Sequence, residues 1–199
     1  MKPELLVRKY ADNIIGTYLD ADDVTRKAGG YWYAAEHDRL AQWAEEHRVS
    51  HVAAIGAASA ISPGMPWEWA TVYLSALMKN RRAKVPTYSR EFVERAHRCL
   101  KGEDPLDVLS GLKVTAFYSA LLNRGETFDV VIDGHAWNIA RGGWSPLRGK
   151  DRDSDSRVTP ARYRLAADAY RLAAKDLDVR PCAVQASTWL YWRMLIKAK

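Results

Sequence analysis

The sequence predicts an all-α protein of about nine or ten helices. Apolar residues recur at helical spacing in almost every periodic segment, and helix caps and breakers punctuate the chain between them. The β-branched run Val130-Val131-Ile132 is short and isolated, too little to build a sheet.

Taken in order, Tyr33 to Arg48 sets Tyr33, Leu40, Ala41, Trp43 and Ala44 against Glu36, Asp38, Arg39, Glu45 and Glu46, an amphipathic helix. Val52 to Ala60 is apolar on all faces and rich in alanine. It reads as a helix buried at the centre of a bundle, with a buried strand as the alternative for so short a run. Ser62-Pro63-Gly64 breaks it, and Pro66 fits the first turn of a helix over Trp67 to Lys79. Ser89 fits an N-cap for Arg90 to Lys101. Asp104-Pro105 reads as N-cap plus first position of a short helix to Leu109, which Gly111 closes. Lys113 opens an amphipathic stretch, Val114 to Asn123, and Arg124-Gly125-Glu126 is a turn. Asp133 is an N-cap for Gly134 to Ala140. Gly142 to Val158 has no periodicity and reads as a long mobile loop. Thr159-Pro160 starts a helix through Leu177, and Pro181 starts the last, whose apolar side carries Val184, Trp189 and Leu195.

Composition excludes several classes. Across 199 residues, 30 Lys plus Arg face 24 Asp plus Glu, and 48% of residues are hydrophobic, an ordinary globular balance. With Cys99 and Cys182 alone, no disulfide framework, zinc knuckle or four-cysteine iron–sulfur cluster can form, so no metal or cofactor is expected. A reducing cytoplasm, of a bacterial host or of a cell expressing a viral protein, is the expected compartment. The longest apolar run, Val52 to Ile61, is well short of the roughly 20 residues a membrane span needs, and the start of the chain carries no secretory apolar region. The net charge of +6 has a local component: Lys79, Arg81, Arg82 and Lys84 crowd one stretch, and Arg162, Arg164, Arg171 and Lys175 recur along another. Either could follow a phosphate backbone or be a solvated helix surface.

One order of parts carries chemistry. Leu109-Ser110-Gly111-Leu112-Lys113 precedes a helix, and Val130-Val131-Ile132 leads into Asp133-Gly134-His135. This resembles the helix-hairpin-helix DNA glycosylase superfamily, and the likeness extends upstream through the buried helix, Ser62-Pro63 and the helix after Pro66. The resemblance implies a two-lobed helical bundle. Its central lobe would span residues 51–130, and residues 1–50 plus 131–199 would form the second, with Lys113 and Asp133 in the cleft between. Two departures stand out: the hairpin is two residues shorter than the family's Leu-Pro-Gly-Val-Gly and has one glycine, and the cluster-binding cysteines of the endonuclease III branch are missing. The chain is also similar to small phage and actinobacterial proteins of unassigned function, which share the order Ser62-Pro63, Lys113, Ile132-Asp133-Gly134-His135 and Gln185-Ala186-x-x-Trp189.

What the resemblance implies follows the chemistry of the C1′–N bond. Its cleavage builds positive charge on the sugar, which a carboxylate beside C1′ stabilises best when water is excluded; Asp133 takes that role. A lysine attacks C1′ only as its free amine, a form favoured by the positive end of a helix; Lys113 takes that role and yields a Schiff base. Gly111, Lys79, Arg81, Arg82, Lys84 and His135 would contact the DNA backbone. A base must be extruded from the duplex and its gap filled, so Ser62, Met65, Trp67, Trp69 and Gln185 would form the base pocket or wedge. The expected partner is duplex DNA with a flipped base, bound by a monomer. Each residue also has a plain structural reading: Asp133 as a cap worth about 1 kcal/mol, Lys113 as an exposed helix-start lysine, His135 as a packed ring, Gln185 as a surface amide. Trp67 and Trp69, two apart, cannot share one helical face. Two other functions fit the same parts: an enzyme that edits or hypermodifies a base in phage DNA, and a non-catalytic DNA-binding or inhibitory protein.

Overall fold

The computed structural model describes residues 2–86, 90–147 and 157–197. Among the described residues there are ten helices: α1 (Pro3–Asp20), α2 (Asp23–Glu46), α3 (His51–Ile61), α4 (Trp67–Lys79), α5 (Arg90–Leu100), α6 (Pro105–Val108), α7 (Leu112–Leu122), α8 (Gly134–Arg141), α9 (Pro160–Leu177) and α10 (Pro181–Lys197). No strand occurs among the described residues. The expected N-cap Ser89, and residues 148–156 of the expected loop, lie outside the described residues.

The chain divides into two compact units, Met1–Tyr33 with Gly125–Lys199, and Ala34–Arg124. The sequence reading draws its boundaries after residues 50 and 130. They fall elsewhere because Ala34–Glu46 belongs with the second unit: His37 Nδ1–H donates to the Leu121 carbonyl at 2.9 Å and Arg124 pairs with Asp38. Gly125 belongs with the first, where a methyl group on it would meet Tyr33 at 3.3 Å and Cys182 at 3.6 Å.

In the second unit α3 is the centre. Ser50 caps it, its hydroxyl accepting the Ala53 N–H at 3.1 Å, and every residue from Ala53 to Ile61 is buried. Small side chains allow close approach: a methyl group at Gly56 would meet Pro105 Cγ at 2.6 Å and Cys99 Sγ at 3.1 Å. α4, α5, α6 and α7 pack around α3.

In the first unit α1 packs on α8, α9 and α10. α9 presents Ala166, Ala167, Ala169, Ala173 and Ala174 with Tyr163 and Tyr170, all buried. Thr159 caps α9 by accepting the Arg162 N–H. Val130, Val131 and Ile132 are buried but form no strand, and the Tyr163 hydroxyl donates to the Val130 carbonyl at 2.7 Å. The start of the expected mobile loop is packed: Gly142 ends α8 in left-handed conformation, and the buried Ser145 accepts Asn138 Nδ2–H at its carbonyl and Arg141 at its hydroxyl.

Candidate functional site

In the Ala34–Arg124 unit, Leu109, Ser110 and Gly111 join α6 to α7. α6 is a single turn: Asp104 caps it by accepting the Leu106 N–H at 2.9 Å, and Leu109 ends it. Gly111 therefore does not close that helix, as the sequence reading has it. It is the N-cap of α7, with φ 89°, a conformation that L side chains resist. The Gly111 carbonyl accepts the N–H groups of Val114 and Thr115 and the Thr115 hydroxyl. Lys113 sits half-buried in the first turn of α7. It has no ion-pair partner among the described residues.

The expected wedge residues separate. Ser62 is buried at the end of α3, its hydroxyl donating to the Ser59 carbonyl at 3.0 Å, so its polar group is turned into the helix. Met65 is half-buried after Gly64, whose φ is 78°. Pro66 is the N-cap of α4 rather than its first residue. Trp67 packs edge-on against Phe117, with centroids 5.1 Å apart, while Trp69 faces solvent and stacks on Tyr73. The two indoles point apart, as the spacing requires.

Lys79, Arg81, Arg82 and Lys84 are exposed. Arg81 also reaches the carbonyls of Leu77 and Leu100, both near C-terminal helix ends, where a cation is favoured. Beside it His97 has its pKa lowered, first by burial and then by Arg81 and Lys101.

In the other unit Asp133 caps α8 and is half-buried. Its Oδ1 accepts the Ala136 N–H at 2.8 Å, and its Oδ2 accepts the Trp189 Nε1–H at 3.0 Å. The Trp189 ring lies under the Arg193 guanidinium at 4.5 Å and near Trp32 at 6.3 Å. Gln185 is 5% exposed, so it is not a surface amide; its Oε1 accepts the Tyr33 hydroxyl at 2.7 Å. Gln185 and Trp189 are four apart and share a face of α10. Burial, then the nearby Cys182 and Asp133, push the Tyr33 phenol up. Burial pushes Tyr163 to about 12 and Cys182 to about 12; the Cys182 thiol donates to the Asp129 carbonyl at 3.1 Å. His135 is half-buried in the first turn of α8.

The sequence reading assigns Trp189 to packing and gives Tyr33 and Trp32 no part in the site. The signal available for Trp189 is its place four residues after Gln185. Among the described residues no group of three or more His, Cys, Asp or Glu is placed to hold a metal ion, and no helix is long and apolar enough to cross a membrane.

Comparison with curated proteins and with solved structures gives no match. Residues 1–195 match the family described as "Family of unknown function (DUF7178)", and the chain belongs to that family.

Proposed function

We propose that the protein acts on DNA as a glycosylase-like enzyme of helix-hairpin-helix type, excising a damaged or modified base, with AP-lyase chemistry through Lys113. The observation that carries this reading is the setting of Asp133. Its carboxylate follows a buried apolar run, and an N–H holds each of its oxygens. A carboxylate fixed in this way needs no reorganisation to face positive charge developing on a sugar. Lys113, in the first turn of α7 after Gly111, supplies the amine. Its nitrogen adds to C1′ as the C1′–N bond breaks and the base leaves with a proton. The Schiff base formed on ring opening then permits elimination of the 3′ phosphate. Nucleoside mass spectrometry of treated DNA tests the reading: a released base with an abasic site supports excision. An altered nucleoside retained in the strand points instead to base editing.

A second reading, a non-catalytic DNA-binding or inhibitory protein, is favoured by two features. Both Asp133 oxygens are already engaged, and α6 is one turn long, so the hairpin offers few N–H groups to a phosphate. DNA left chemically unchanged while the protein binds it supports this second reading.

A further inference from the structure

α4 has two apolar sides where a surface helix has one. Ala70, Thr71, Leu74, Leu77 and Met78 are buried, and α4 packs on α3. On the opposite side Trp69 and Val72 are each 55% exposed. Together with half-buried Tyr73 and Ala76 and exposed Lys79, they form one continuous stripe at i, i+3, i+4, i+7 and i+10. The rings of Trp69 and Tyr73 are 6.2 Å apart at 26°, a stacked pair already ordered at the surface.

The stripe ends in positive charge. Residues 67–86 hold Lys79, Arg81, Arg82 and Lys84 against the one acid Glu68, and Lys101, just after α5, adds to the same field at His97. From Trp69 to Lys79 the helix rises roughly 15 Å, so one short stretch of chain reaches both the rings and the cations. An apolar protein surface would match the rings and leave the cations unmatched. A polyanion that carries flat aromatic faces matches both. We propose that this stripe binds single-stranded DNA, the bases stacking on Trp69 and Tyr73 and the phosphates running to Lys79, Arg82 and Lys84. The inference rests on the reading that the protein acts on DNA, and it requires neither Lys113 nor Asp133.

The test is fluorescence anisotropy of a labelled oligothymidylate titrated with the full-length protein across a salt series. Binding is expected to weaken linearly in log salt, and Lys79→Ala or Arg82→Ala should each reduce that slope by about 0.7. Trp69→Ala should weaken binding roughly tenfold or more at unchanged slope, and Trp69→Phe should retain most of the affinity. Trp69 is exposed, so its variants should keep the wild-type circular dichroism melt. Lys113→Ala should bind as wild type; wild-type protein that binds in this way yet shows no lyase chemistry defeats the catalytic proposal and leaves this one standing. Failure to bind at low salt, or wild-type affinity in Trp69→Ala, overturns it. So does self-association of the wild type, seen by sedimentation and lost in Trp69→Ala, because the stripe then belongs to a second copy of the chain.

Discussion

The carboxylate of Asp133 accepts the indole N–H of Trp189 at 3.0 Å while it caps α8 through the Ala136 N–H at 2.8 Å. One side chain thus starts a helix and ties it to Trp189 of α10, fifty-six positions further along the chain.

Asp133→Ala loses both bonds and is expected to destabilise the protein by about 2 kcal/mol in urea titration. Asp133→Asn keeps a capping oxygen but turns its amide N–H toward the Trp189 Nε1–H, and should cost about 1–2 kcal/mol. It also removes the charge, and base release should fall at least about 100-fold. A variant with both stability and base release intact would reduce Asp133 to a cap.

Tyr33→Phe removes the donor to the buried Gln185 Oε1 and is expected to cost about 1–3 kcal/mol. Adding Gln185→Leu should recover part of that loss, because replacing both partners leaves no buried carbonyl in need of a donor. A double-mutant cycle measures the coupling. Additive losses would show that the hydroxyl and the amide do not depend on each other.

Neighbouring glycines in α2 should behave oppositely. A methyl group at Gly29 would collide with backbone atoms of Ser187 in α10, whereas one at Gly30 meets nothing within 4 Å. Gly29→Ala is expected to destabilise by about 3 kcal/mol, and Gly30→Ala to stabilise by up to about 1 kcal/mol. Thermal melts decide, and equal effects would contradict the close approach of α2 to α10.

These glycines also show why some of the fold escapes the sequence. A Gly-Gly pair argues against a helix interior, and the sequence reading starts this helix at Tyr33; the structure starts it at Asp23. Packing overrides propensity, because the missing side chain at Gly29 is what admits the backbone of α10. Local signals succeed where a single residue suffices to start a helix. Asp104, Asp133 and Thr159 each accept the N–H that their place before a helix predicts. Gly111 is legible as a turn, but the sequence attaches it to the wrong helix, since α6 ends sooner, at Val108. The Trp189 bond to Asp133 is out of reach of the sequence, because an indole N–H gives no sign of its partner fifty-six residues away.

Burial pushes the Cys99 thiol up to about 11 and the Cys182 thiol up to about 12, so neither is a thiolate near neutral pH. Native protein should resist iodoacetamide at about pH 8, and both cysteines should be labelled once urea exposes them. Rapid labelling of the native state would show that these positions open, which their packing opposes.

Borohydride trapping on an abasic-site duplex bears most directly on the central claim, that the amine of Lys113 attacks the sugar of DNA. Wild-type protein should form a covalent adduct that survives denaturing electrophoresis, and Lys113→Ala should form none while keeping the wild-type melt. An adduct of equal yield in Lys113→Ala, or no adduct with wild-type protein that binds the duplex, would contradict it.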